Sequence, residues 1–257
     1  NQIFLPDTGS VYFMGRNIKS SDINNIGYLP EERGLYKKMQ IAEQIVYFAT
    51  LKGLSSSEAK KKAKYWLEKL NMTNWWNRKV EELSKGMQQK IQFIITVIHN
   101  PKLLIFDEIF SGLDPVNVNM IKEEILNLRK EGATIIFSTH NMGSVEELCD
   151  EIALINKSKK ILEGKVKDIK ENNKENIYEI KLLIETDNID LDGHPGYKVI
   201  DKVLNGNVLE MKLEISKNIN SNEILSNFMQ KGKILSYREI LPTMNEIFIN
   251  KVKSLNN

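Results

Sequence analysis

Residues 103–115 read LLIFDEIFSGLDP, and this stretch decides the fold. The apolar run Leu103 to Phe106 has the length and composition of a strand buried on both faces. It stops at two carboxylates, Asp107 and Glu108, and a turn follows through Gly112, Asp114 and Pro115. Beyond the turn the spacing predicts a helix from about Val118 to Lys130, Gly132 ends it, and Thr134 to Phe137 is a second apolar strand. Strand, helix and strand in this order make a parallel crossover unit. Parallel sheets gather ligands at the carboxyl ends of their strands. Asp107 and Glu108, and after the second strand Ser138, Thr139 and His140, are therefore expected at one edge.

Upstream, Ser84 in LSKGMQQK is placed to cap a helix that runs to about His99, where Asn100 and Pro101 end it. Gln40 to Lys52 carries Ile41, Ile45, Phe48 and Leu51 at helical spacing, and Ser55, Ser56 and Ser57 offer caps for a helix to about Leu70. Ser10 to Phe13 and Ile26 to Leu29 read as strands. Downstream, Ile152 to Ile155 and Lys160 to Leu162 are expected as short strands at an edge of the same sheet. Residues 1–163 thus form an α/β domain with a parallel-sheet core. Residues 164–176 turn charged and amide-rich, which predicts a linker. Residues 177–257 read strand, strand, strand, helix, strand, helix, with a turn at Gly206 and Asn207, and predict a small α+β domain.

Composition narrows the functional classes. With 257 residues, 41% of them hydrophobic, the chain can bury a substantial core. Lys plus Arg number 36 against 34 for Asp plus Glu, so the net charge of +2 gives no field that argues for nucleic acid. The single cysteine, Cys149, excludes an internal disulfide and suits a reducing compartment. The longest apolar stretches, such as Ile91 to Ile98, fall short of the ~20 residues needed to span a bilayer. The sequence opens on Asn1 with neither the basic start nor the apolar run of a signal peptide.

The carboxylates Asp107 and Glu108 carry two readings. In P-loop ATPases the first such residue helps hold Mg²⁺ and its neighbour polarises the attacking water; alternatively the pair opens a solvated turn. Ser84 also has two. A helix N-terminus presents free N–H groups to a phosphate, and equally Ser84 is an ordinary cap. His140 alone decides nothing.

The order of these motifs resembles that of an ATP-binding cassette (ABC) ATPase. Leu83 to Met87 resembles the signature LSGGQ, Leu103 to Glu108 the Walker B strand with its catalytic glutamate, Ser111 to Asp114 the D-loop, and His140 the switch histidine. Gly27 to Tyr36, GYLPEERGLY, resembles the Q-loop region of a bacterial subgroup that includes sodium-efflux-type ATP-binding subunits. Pro6 to Gly15 is similar to the strand segment that follows the phosphate-binding loop, and the closing PTMNEIFINKV resembles the small domain this subgroup carries after its ATPase domain.

The resemblance implies a P-loop NTPase fold with a helical subdomain, followed by that α+β domain. It implies ATP and Mg²⁺ as ligands, a transmembrane permease subunit and a second ATP-binding subunit as partners, and a cytoplasmic place on the inner face of the membrane. Asp107 would serve Mg²⁺, Glu108 would polarise water, His140 would sense the γ-phosphate, and Asp114 would communicate across a dimer. Ser84, Lys85, Gly86 and Met87 would close over nucleotide held by the other subunit, and Glu31 would stand at the Q-loop position. Sequence departs from the pattern at Lys85 for a glycine, Met87 for the glutamine, Glu31 for the Q-loop glutamine and Ile109 for a proline. No G-x-x-x-x-G-K-[ST] occurs, and the expectation is a chain truncated after that loop. A soluble ABC ATPase of translation or DNA repair is the rival, although no sustained heptad run appears; a cassette half that pairs without hydrolysing is another.

Overall fold

The computed structural model describes residues 6–32, 34–185, 195–216, 219 and 221–256. Its first element is a hairpin of β1 (Tyr12–Phe13) and β2 (Arg16–Asn17), joined by Met14 and Gly15 at φ 53° and 78°. Two successive positive φ values match the twist of the paired strands. Asp22 then accepts two hydrogen bonds from the Arg16 guanidinium, at 2.7 and 2.9 Å, and one from the Lys19 N–H at 2.7 Å. These bonds, the Arg16 pair first, hold its carboxyl down at about 2. Within the Q-loop stretch, Arg33 lies outside the described residues.

The first unit, Asn1–His140, is built on a three-stranded parallel sheet. Its edge strand β3 (Ile26–Leu29) leads into α1 (Ile41–Leu51), α2 (Ser56–Lys69) and α3 (Lys85–Val97) before the chain returns as the central strand β4 (Leu103–Asp107). The predicted cap Ser84 accepts the N–H of Met87 at 3.3 Å, and Ser55 caps α2 with Glu58 in a reciprocal box. On α3, Phe93 meets Trp66 edge-on at 5.8 Å and Phe106 at 5.9 Å, which seats the helical layer on the sheet. Gly27 of β3 lets α3 come close, since a Cβ there would stand 2.5 Å from the Thr96 carbonyl oxygen. After β4, α4 (Pro115–Lys130) crosses to β5 (Thr134–Ser138), parallel to β4 and in register Asp107↔Ser138. It starts a turn earlier than its apolar spacing implies, because Asp114 caps it and Pro115 takes its first position.

The second unit, Asn141–Asn257, begins with α5 (Met142–Leu148). Strands β6 (Glu151–Asn156) and β7 (Lys159–Lys165) correct one expectation: they form their own two-stranded antiparallel sheet and do not extend the parallel one. Lys157 and Ser158, at φ 47° and 60°, close a tight turn between them. A second correction concerns 164–176, expected as a linker. The segment holds α6 (Val166–Asn172), whose Val166 and Ile169 are buried with Val145, Met244 and Ile247. The division between units accordingly falls ahead of α5.

Strands β8 (Ile177–Leu183), β9 (Tyr197–Asn205) and β10 (Val208–Ile215), helix α7 (Ser221–Lys231), strand β11 (Lys233–Ile240) and helix α8 (Met244–Asn256) complete the unit, in an antiparallel sheet of order β11-β8-β10-β9. Alternate residues Leu209, Met211, Leu213 and Ile215 of β10 are buried beneath Ile224 and Phe228 of α7. Among the described residues no helix is long and apolar enough to cross a membrane.

Candidate functional site

The carboxyl ends of β4 and β5 place three predicted residues together. Asp107 ends β4, half-buried, and accepts a hydrogen bond from the Ser138 hydroxyl at its register partner. The chain then turns through Glu108 at φ 47°, a left-handed backbone that costs a side-chain-bearing residue on the order of 1–2 kcal/mol. Its N–H donates to the Ser138 carbonyl at 3.2 Å and its carbonyl accepts from Ser111 N–H at 3.0 Å. This turn sends the Glu108 side chain toward the end of β5. There Oε1 accepts the backbone N–H of His140 at 3.0 Å and lies 2.8 Å from the ring Nδ1. The His140 side chain is 90% exposed while that of Glu108 is 22% exposed. A carboxylate is thus fixed at the sheet edge beside a solvent-facing imidazole.

The turn is held from below. Buried Gln89 donates through Nε2 to the Ile109 carbonyl at 3.0 Å, and Phe110 meets Phe137 edge-on at 6.4 Å. Gly86 approaches the same segment: a Cβ there would lie 3.3 Å from the Gly112 carbonyl oxygen. The signature-like residues and the D-loop-like residues therefore touch within one chain. Lys85 and Ser111, with Glu31 and Glu32, line a groove of about 460 Å³. Ser84 is exposed, and Met87 is half-buried in the first turn of α3. Asp114 accepts the N–H groups of Val116 and Asn117, each at 3.1 Å. These bonds, that of Asn117 first, hold its carboxyl below the usual carboxylate range. Of the six signature, D-loop and Q-loop residues, Lys85 and Glu31 share this groove, Gly86 approaches the Gly112 segment, and Ser84, Met87 and Asp114 do not line the groove.

One residue of this site lies outside the sequence-derived set. Gln92, 5% exposed, donates to the carbonyls of Pro30 and Glu32 at 3.3 and 3.2 Å and so fixes the backbone on both sides of Glu31. Its signal was a polar residue inside the apolar run of α3, since a buried amide must find hydrogen bonds. Ser138 is expected at this sheet edge, but its bond to Asp107 follows only from the strand register.

Among the described residues no group of three or more His, Cys, Asp or Glu side chains is placed to hold a metal. Mg²⁺ takes one or two carboxylates and fills its octahedron with phosphate oxygens and water. Asp107, oriented by the Ser138 hydroxyl, supplies such a carboxylate.

Residues 1–111 match the family described as ABC transporter, and residues 164–252 match the family described as ATP-binding protein DrrA1-3-like, C-terminal domain. The chain is 44% identical over 245 residues to the uncharacterized ABC transporter ATP-binding protein YhaQ of Bacillus subtilis (strain 168), covering 95% of this chain and 80% of that protein. Over 156 residues it is 36% identical to the lantibiotic transport ATP-binding protein SrtF of Streptococcus pyogenes, covering 61% of this chain and 66% of SrtF. A solved structure of an ATP binding subunit of an ABC transporter superposes with a TM-score of 0.60 at 26% identity, over 65% of this chain and 71% of that one.

Proposed function

The chain belongs to the ABC transporter ATP-binding proteins, and from that premise we propose that it binds and hydrolyses Mg-ATP to drive transport through a separate membrane permease. The observation that carries the chemistry is the Glu108 carboxylate, pinned beside Asp107 by His140. Asp107 would hold Mg²⁺, which supplies charge neutralisation on the β- and γ-phosphates. Glu108 orients a water and takes up its proton, a role that suits a carboxylate with one oxygen already fixed. His140, its ring turned to solvent, donates toward the terminal phosphate.

The exposed N-terminus of α3, with Ser84, Lys85, Gly86 and Met87, offers N–H donors to a phosphate. In this reading it faces nucleotide held by a second ATP-binding subunit, and Asp114 and Glu31 lie along the same junction. The sodium-efflux-type resemblance and the lantibiotic transport named in SrtF both favour export. The subunit would then work at the inner face of the cell membrane.

The test is Mg-ATP turnover by the full gene product. Turnover by the full product that needs Mg²⁺ supports the reading. Its absence, with and without the permease, overturns it.

A further inference from the structure

The segment that follows His140 is tied to the C-terminal end of the chain. Asn141 caps α5 by accepting the Ser144 N–H at 3.1 Å. One turn on, Glu146 reaches two other helices of its unit. Its Oε1 accepts the Met244 N–H, at the first turn of α8, at 2.6 Å, and its Oε2 accepts from Lys170 of α6. Both side chains are largely covered, with 24% of Glu146 and 20% of Lys170 exposed. Around them Met244 and Ile247 are buried to 0% and 2% exposure against Val145, Val166 and Ile169.

The bond to Met244 is unusual in where it comes from. Helix α8 has a local cap, Thr243, whose hydroxyl accepts the Glu246 N–H at 3.2 Å while the Glu246 carboxylate accepts the Thr243 N–H at 2.7 Å. The next free N–H, that of Met244, is satisfied by a carboxylate carried on α5. A negative group at a helix N-terminus is favourable, and its grip is reinforced by the Lys170 charge. Parting α5 from α8 would leave that N–H unpaired and expose the apolar cluster.

We infer that Glu146 is a positioning residue through which the C-terminal domain governs the segment carrying His140. Helix α5 follows His140 directly, so a change of backbone there when nucleotide binds is resisted, or transmitted, by α8. This inference rests on the proposed ATPase reading and adds to it a regulatory role for the domain at 164–252.

Hydrogen–deuterium exchange on the full gene product, with and without Mg-ATP, tests it. In the wild type, residues of α5 and of the first turn of α8 change protection together with the turn at Asp107 to Glu108. In Glu146→Ala the turn still responds, α8 no longer does, and kcat shifts by about threefold or more with KM for ATP little changed. Glu146→Gln, which keeps an acceptor for the Met244 N–H, restores most of the α8 response. Should Glu146→Ala fail to fold, Lys170→Met weakens the same grip from outside and is expected to reduce the α8 response in part. A wild-type α8 indifferent to Mg-ATP while the turn responds overturns the inference, as does an unaltered response in Glu146→Ala. Silence at both segments overturns the ATPase reading, and this inference with it.

Discussion

One carboxylate oxygen, Oε1 of Glu108, faces two nitrogens of the same residue: the backbone N–H of His140 at 3.0 Å and its ring Nδ1 at 2.8 Å. The backbone bond is set by strand register, because Asp107 and Ser138 are paired and the residues just beyond them are brought side by side. The ring bond is an addition that truncation can remove alone. His140→Ala is therefore expected to leave Glu108 in place and to lower turnover by about 10²-fold, the scale of a lost proton-transfer or charge-stabilising group. Nucleotide affinity should change little. Steady-state phosphate release against ATP concentration separates the two effects, and an undiminished kcat would contradict the role given to the ring.

His99 predicts a pH dependence of stability. It sits half-buried at the end of α3, its Nε2 3.4 Å from the Ile26 carbonyl oxygen that Lys52 also reaches at 3.1 Å. Burial first, and the Lys52 charge second, lower its pKa from 6.5 to about 4. The unfolded chain takes up a proton near 6.5 while the folded one refuses it until about 4. Stability from this group is thus full above the upper value and is lost as pH falls across that window, by up to about 3 kcal/mol. Urea midpoints measured across that range should show the slope, and His99→Gln should flatten it.

Gly27 is expected to tolerate no side chain. Its added Cβ would meet the Thr96 carbonyl oxygen at 2.5 Å and Leu104 Cδ2 at 2.8 Å, so β3 and α3 must separate. Gly27→Ala should cost about 1–3 kcal/mol by overpacking. Gly34→Ala, where a Cβ meets nothing within 4 Å, serves as the control. Equal denaturation midpoints for the two variants would refute the close approach.

Gln92→Leu should release the backbone around Glu31. The change removes the donor to the Pro30 and Glu32 carbonyls from a buried site, and each carbonyl left unpaired costs about 1–3 kcal/mol unless water reaches it. Amide exchange at Glu31 and Glu32 is expected to rise in this variant, and unchanged protection there would show that the Gln92 side chain does not hold the segment.

The parts of the fold written in strong local signals were legible from sequence. The apolar run before Asp107 and the caps Ser84 and Ser55 each fix an element with little outside help, whereas Asp114 and Pro115, read as a turn, begin α4 a turn earlier than its apolar spacing implies. Helix α6 was not, because lysines, glutamates and asparagines outnumber the Val166 and Ile169 that it buries. Nor was the pairing of β6 with β7. A strand's composition does not name its partner, and the turn at Lys157 and Ser158 has positive φ without the glycine that advertises it. At the site, chain order placed Glu108 and His140 at one sheet edge, but the hydrogen bonds between them depend on the register and on the left-handed turn at Glu108.

The most direct measurement is release of phosphate from Mg-ATP by the full gene product and by its Glu108→Gln variant, side by side. The amide keeps the size of the side chain and an acceptor for the His140 N–H, but it cannot take a proton from water. Turnover is predicted to fall by about 10²–10⁴-fold while ATP remains bound. Undiminished turnover in Glu108→Gln would contradict the assignment of Glu108 as the group that activates water.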